Sequence, residues 1–257
     1  MIDGMNSTIN PINLFWTGGW DSTFRLLQVL VLEQKPVQTC YIIDPNRTSF
    51  EIELETMERI RKAIVAKYPF TESLFHPTKI VPLSEIDRDP IIEEAFQQAN
   101  RKDHLGNQYD WLARFCKQNR INDMELGVQK LETLSHPSRF SPYMERDDDA
   151  KVYVFKNSLR DEPEFHIFKY FRFPILNLTK EAMFDIAKRN HWLRIMNKTW
   201  FCHEPLGIKI PCGKCVPCQQ IIDDKALKRR VPFYIRFLRR NPRSILTKLF
   251  DRLFLPG

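Results

Sequence analysis

Short apolar runs recur along the first half of the chain, and between them lie longer stretches whose apolar residues return every three or four positions. The runs Ile12 to Trp16, Val37 to Ile43, Lys79 to Val81 and Met124 to Val128 read as short, largely apolar strands. The intervening segments Ser22 to Glu33, Phe50 to Lys67, Ile91 to Gln98 and Tyr109 to Gln118 carry the helical period. A further helix is expected over Thr179 to Arg189, with the Thr179 hydroxyl placed to cap it.

Strands that alternate with helices make a parallel sheet covered by helices, so the pattern predicts an α/β, Rossmann-like architecture. Ligands in such sheets sit at the carboxyl ends of the strands, and the loops after Trp16, Ile43, Val81 and Val128 are therefore expected to line one cleft. The stretch Arg139 to Phe173 shows neither period clearly. Its acidic runs, Arg146-Asp147-Asp148-Asp149 and Asp161-Glu162-Pro163-Glu164, read as solvated turns. His136, His166 and His203 read as surface or packing residues, although His203 adjoins Cys202 and histidine can replace cysteine on a metal. Cys40 in an apolar strand and Cys116 beside Leu112 and Phe115 read as small core residues.

The first strand ends in Thr17-Gly18-Gly19-Trp20-Asp21-Ser22. Two glycines let a backbone approach an anion closely, and the amides and positive dipole end of the following helix face it. Thr17, Gly18, Gly19 and Ser22 are thus candidate phosphate contacts, and Asp21 can help position Mg²⁺. No Gly-Lys-Ser/Thr follows, which excludes a Walker loop. The segment resembles instead the PP-loop, Ser-Gly-Gly-x-Asp-Ser, of enzymes that cleave ATP between the α and β phosphates, with Thr17 in place of the first serine.

A second constellation is Cys202, Cys212, Cys215 and Cys218, in Thr199-Trp200-Phe201-Cys202 and Cys212-Gly213-Lys214-Cys215-Val216-Pro217-Cys218. One tight turn can present three thiolates while a fourth arrives from the preceding segment, as a tetrahedral zinc site requires. Four sulfurs leave no position for water, so the metal is expected to be structural. The same spacing can hold an iron–sulfur cluster.

Together the two motifs resemble the QueC family, the 7-cyano-7-deazaguanine synthases, over roughly residues 12 to 220, with Phe173-Pro174-Ile175-Leu176-Asn177-Leu178-Thr179-Lys180-Glu181 similar to the segment before the family's last core helix. The resemblance implies a PP-loop fold of the adenine nucleotide alpha hydrolase type. It implies ATP, Mg²⁺ and Zn²⁺ as cofactors. It implies adenylation of the carboxylate of 7-carboxy-7-deazaguanine, release of pyrophosphate, and attack by ammonia to give an amide and then a nitrile, a step of queuosine biosynthesis. Asp21, Ser22 and Lys180 are the expected catalytic residues; the family has a lysine at the last place, whose bland reading here is a solvated first-turn residue. Asp44, at a strand end, is a candidate for ribose or Mg²⁺, or simply a turn residue before Pro45.

Three departures bear on the acceptor. Pro45-Asn46-Arg47 stands where the family has Tyr-Gly-Gln, Gln129 to Arg139 replaces its substrate loop, and Gln219-Gln220-Ile221 replaces its Leu-Arg. They admit an alternative, a QueC-like enzyme of anti-phage defence that joins the activated deazaguanine to a protein amine. A tRNA thiolase or lysidine-type ligase, and a nucleotide-binding adaptor without catalysis, are readings of other classes.

With 257 residues and 43% hydrophobic content the chain can bury one substantial domain. No apolar run is long enough to span a bilayer and the first residues lack a signal-peptide pattern, so a cytoplasmic ligase is expected. The expected layout is an ATP-binding domain over 1–198, the zinc knuckle over 199–220 and a basic tail over 221–257. From Ile221 onward ten Lys and Arg oppose three Asp, which accounts for the whole net charge of +7. Ser244 to Phe254 has an amphipathic helical pattern whose apolar side the body or a second copy, in a homodimer, would cover. RNA, an anionic membrane surface or an acidic protein are the other partners such a tail suits.

Overall fold

The computed structural model describes residues 10–102, 105–129, 143–207, 209–224 and 227–240. The expected helix at Ser244 to Phe254, most of the loop Gln129 to Arg139, and His136 lie outside these residues. The protein is α/β and divides into two compact units that interleave along the chain: residues 1–16, 21–43 and 64–180, and residues 17–20, 44–63 and 181–257.

The first unit is built on a parallel sheet of β1 (Ile12–Phe15), β2 (Val37–Ile43), β3 (Lys79–Pro82), β4 (Met124–Glu125) and β7 (Phe171–Arg172), in the order β3-β2-β1-β4-β7. Leu14 pairs with Thr39 on one side and Glu125 on the other. The order grows outward from β1 in both directions, a Rossmann-like arrangement whose direction reverses between β1 and β4. Every residue of β2 except Gln38 and Ile43 is buried, which suits its run Cys40-Tyr41-Ile42, while Lys79 and Ile80 on the edge strand β3 are exposed.

Most of the expected boundaries shift, several by a single residue. The helix expected over Ser22 to Glu33 is α1 (Trp20–Leu27) followed by a π-turn, Gln28–Leu32, in which the Glu33 amide donates to the Gln28 carbonyl at 2.9 Å. The strand expected to reach Val128 stops at Glu125, because the Val128 amide turns back onto the Leu126 carbonyl. Helix α3 runs over Pro90–Lys102, longer than its apolar period, and α4 covers Gln108–Gln118. Helix α2, Phe50–Lys67, is where the pattern places it.

The segment without a clear period holds an antiparallel hairpin, β5 (Met144–Asp147) and β6 (Val152–Phe155), and a short helix α5 (Pro163–Phe168). The acidic run after Arg146 is the hairpin turn, where Asp147 caps the Ala150 amide, and Pro163 opens α5. Its legibility was low because aromatic packing rather than periodicity sets it: Phe155, Phe168, Phe171 and Phe173 meet at ring-centroid distances of 5.9 to 6.5 Å. Cys40 and Cys116 are buried in the same core, and burial pushes the Cys40 thiol up to about 11, so neither is a ready thiolate.

Between α1 and β4 sits a buried ion network. The Arg25 guanidinium grips both oxygens of Glu125 at 2.7 and 2.8 Å and also pairs with Glu33. Burial opposes the charge on both Arg25 and Glu33, yet their pairing overcomes it: Arg25 is raised and Glu33 held below 4.5. Because the Glu33 carboxyl is depressed on folding, its contribution is complete above pH 4.5 and is lost as pH falls through the folded value. Glu125→Gln removes one charge and leaves Arg25 with Glu33 alone; denaturant unfolding should show a loss of about 3 kcal/mol.

The second unit contains most of α2, then α6 (Lys180–Arg189, of which Lys180 belongs to the first unit), α7 (Leu193–Met196), α8 (Val216–Asp223) and α9 (Phe233–Arg240). Trp20, Phe184, Trp200, Phe201 and Arg230 form its aromatic centre. The Trp20 and Phe184 rings stack at 6.4 Å, and the Arg230 guanidinium lies 5.4 Å from Trp20 and 5.0 Å from Phe201 while bonding Thr199.

Candidate functional site: a glycine loop with a paired lysine, and a four-cysteine centre

The carboxyl end of β1 leads into the turn Trp16 to Gly19 and then into α1. The Trp16 indole donates to the Thr23 hydroxyl at 3.0 Å, which binds the strand end to the first turns of the helix. Gly18 has a φ of +70°, the left-handed region that side chains disfavour, and a Cβ there would also press on Thr56 and Met57. Its carbonyl accepts the Trp200 amide at 3.0 Å, while Thr17 is exposed. The helix that follows leaves the amides of its first turn without intrahelical acceptors, which is the arrangement that receives an anion.

In the first unit Lys180, at the start of α6, donates to both carboxylate oxygens of Asp21 at 2.7 and 3.0 Å. The two side chains are 16% and 27% exposed, so the pair is partly shielded yet open to a small ligand. Lys180 is therefore not a solvated first-turn residue. A cation and a carboxylate so placed can exchange their mutual contact for a phosphate oxygen and a metal ion respectively. Ser22 is buried at the helix start.

Gly127, which the sequence did not single out, packs against this helix start. A Cβ there would lie 2.8 Å from the Ser22 nitrogen and 3.0 Å from its Cα, backbone against backbone. Gly127→Ala should thus push the end of β4 away from α1 and lower stability by about 1–3 kcal/mol in denaturant unfolding. The signal in sequence was a glycine two residues past the charged end of a strand, too common to read alone.

Asp44 lies in the second unit. One of its oxygens accepts the Asn46 amide at 3.0 Å and its carbonyl accepts the Arg47 amide, so it closes the turn after β2. Arg47 reaches Glu53 and the Nε2 of His203, and the Thr48 hydroxyl donates to the His203 carbonyl. His203 is thereby engaged with that turn and is not among the clustered cysteines. Loss of water around its ring and the Arg47 charge hold its pKa down to about 4.

The four predicted cysteines do come together. All four Sγ atoms lie within 4.8 Å of one another, with Cys212 to Cys218 at 3.9 Å and Cys202 to Cys215 at 4.0 Å. A single zinc ion with sulfur ligands at 2.3 Å sets tetrahedral sulfur–sulfur edges of about 3.8 Å, so the donor set fits one such ion. Among the described residues no other group of three or more His, Cys, Asp or Glu is placed to hold a metal.

The chain builds this centre locally. Leu206 and Ile210 bridge the excursion between the first two cysteines, and Cys215 precedes α8, whose positive end favours thiolates at Cys215 and Cys218. The Cys212 amide donates to Cys202 Sγ at 3.2 Å, and the amides of Lys214 and Cys215 donate to Cys212 Sγ at 3.3 Å. Hydrogen bonds from Cys202 and the other thiols pull Cys212 far down, the thiolate a metal requires. Cys202, Cys212 and Cys218 are buried, which suits a structural rather than a water-binding ion. Arg239 of α9 donates to the Cys212 carbonyl at 3.0 and 3.2 Å, a clamp the cysteine spacing does not foretell.

Among the described residues no helix is long and apolar enough to cross a membrane. Compared with known proteins, the chain matches no protein-family model, and no curated protein matches it at a significant level.

Proposed function

We propose that the protein is a PP-loop ligase of the QueC type, which uses ATP and Mg²⁺ to adenylate the carboxylate of 7-carboxy-7-deazaguanine and then joins the activated acyl group to nitrogen. The observation that carries this reading is the Lys180–Asp21 pair at the start of the helix that follows a strand and a Gly-Gly turn. A carboxylate is a poor electrophile, whereas an acyl-adenylate carries a good leaving group and a carbonyl that an amine can attack.

In this reading the carboxylate of the substrate attacks the α-phosphorus, the bond to the bridging oxygen breaks, and pyrophosphate departs with that electron pair. The amides of the Gly18–Ser22 segment hold the phosphate oxygens, and Lys180 neutralises charge that grows as pyrophosphate leaves. Asp21, once parted from Lys180, would offer a hard oxygen to Mg²⁺, which would supply screening of the phosphate charge. An amine then adds to the acyl carbonyl and AMP leaves. Cys202, Cys212, Cys215 and Cys218 would hold Zn²⁺ as a structural ion outside the chemistry.

The rebuilt segment Pro45-Asn46-Arg47, which is fastened to His203, favours a second reading of the acceptor, a protein amine in an anti-phage defence enzyme. Mass spectrometry of the products from ATP, Mg²⁺ and 7-carboxy-7-deazaguanine, with ammonium or with cell extract, tests both. A free amide or nitrile base with AMP supports the synthase, a deazaguanine-sized mass on a protein supports conjugation, and no AMP at all overturns the adenylating assignment.

A further inference from the structure

We infer that Arg230, in the segment that follows the cysteine centre, is a positioning residue for the turn Thr17 to Trp20, which it braces on both sides of Gly19. Every residue of this brace belongs to the second unit. One contact is direct: the guanidinium lies 5.4 Å from the centre of the Trp20 ring, and Trp20 is the residue that joins Gly19 to Asp21. The other passes through the backbone. Arg230 Nη2 donates to the Thr199 carbonyl and, at 2.8 Å, to the Thr199 hydroxyl, while the Trp200 amide donates to the Gly18 carbonyl at 3.0 Å. The Thr199 carbonyl and the Trp200 amide are the two ends of one peptide group. Arg230 and Gly18 therefore hold it from opposite sides, and a cation on the oxygen strengthens the bond that the nitrogen makes.

Trp20 depends on such contacts. It is only 4% exposed and its indole Nε1 has no hydrogen-bond partner, so ring contacts orient it: Phe184 stacks at 6.4 Å, and the Arg230 cation, itself 5.0 Å from Phe201, supplies the charge. A second guanidinium steadies the same strap. Arg59 Nη2 donates to the Lys198 carbonyl at 2.8 Å and to the Thr56 hydroxyl at 3.2 Å, and Thr56 is the residue that a Cβ on Gly18 would meet at 3.1 Å. Of the two arginines, Arg230 also contacts Trp20.

Backbone amides stabilise an anion only if they already point at it, and a misplacement of about 1 Å can cost a hundredfold in rate. By fixing the residues before and after Gly19, Arg230 sets the direction of these amides while acting through Trp20 and Trp200. Its role in turnover rests on the ligase reading. The brace itself does not.

The test compares the full chain with Arg230→Gln and Arg230→Lys, with zinc content as the check that each variant folds. Without nucleotide, exchange of the Trp200 amide should quicken about tenfold or more in Arg230→Gln, while that of the Cys212 amide, which donates to Cys202, stays unchanged. With ATP, Mg²⁺ and 7-carboxy-7-deazaguanine, kcat/KM for pyrophosphate release should fall about ten- to a hundredfold, with KM for ATP raised as well as kcat lowered. A mere loss of folded molecules would lower kcat alone. Arg230→Lys keeps the cation near the rings and should recover most of both losses, although it lacks the planar fork. Unchanged exchange at Trp200, equal quickening at Trp200 and Cys212, a lysine variant no better than the glutamine one, or quickened exchange with unaltered kinetics would each overturn the proposal. A wild-type chain that releases no pyrophosphate would instead remove the ligase reading, and the exchange at Trp200 would then decide the brace alone.

Discussion

Lys180→Ala should reduce ATP-dependent release of pyrophosphate by about a hundred- to a thousand-fold, the range seen when one preorganised group is removed from developing charge. Lys180 Nζ lies 2.7 Å from Asp21 and is only partly exposed, so its charge acts in a shielded place. The pair is not deeply buried, however, and its loss should change unfolding free energy by no more than about 1 kcal/mol. That contrast separates a role in the reaction from a role in the fold. Asp21→Ala should behave alike, and its deficit should not yield to excess Mg²⁺. Ser22→Ala removes a hydroxyl and no charge, and should cost less than either. Full turnover by the lysine and aspartate variants would remove the nucleotide site from Thr17 to Ser22 and with it the ligase assignment.

Cys215→Ser should release the metal and destabilise the protein by several kcal/mol, since structural zinc sites contribute on the order of ten kcal/mol to the folding of small motifs. Loss of one thiolate leaves Cys202, Cys212 and Cys218 buried and close together without a cation to join them. The effect should spread in two directions through contacts already described. Arg239 holds α9 to the Cys212 carbonyl, and the Trp200 indole donates to the Cys202 carbonyl at 2.6 Å while its amide donates to Gly18. Hydrogen exchange should therefore rise at Gly18 to Trp20 and along α9 as well as at the cysteines. Metal analysis and exchange on the wild-type chain treated with a chelator should reproduce the pattern. Unchanged zinc content in the variant would dismiss the four-sulfur centre.

Much of the sheet was legible because its strands are short, mostly apolar segments set between helical periods. β2 and α2 match their patterns to the residue. The strand ends were less legible, since β4 stops where a backbone turn forms and not where hydrophobicity ceases. The hairpin β5–β6 escaped notice for a related reason. Its Glu145 and Arg146 are exposed, and only Met144, Val152 and Phe155 are buried.

The sequence by itself determined the features whose chemistry is local: the Gly-Gly turn between a strand and a helix, and three cysteines within seven residues of one turn. It also determined where the charge lies, because that is a matter of counting. Only the tertiary structure decided which distant residues meet. Lys180 reaches Asp21 across 159 positions and Glu125 reaches Arg25 across 100. Gly127 must lack a side chain because α1 begins against it, and Arg239 becomes a clamp because α9 returns to the cysteines. These pairings depend on the strand order β3-β2-β1-β4-β7 and on the return of the chain after α8. Periods of two and of 3.6 residues specify which face of an element is apolar, but not which neighbour will cover it.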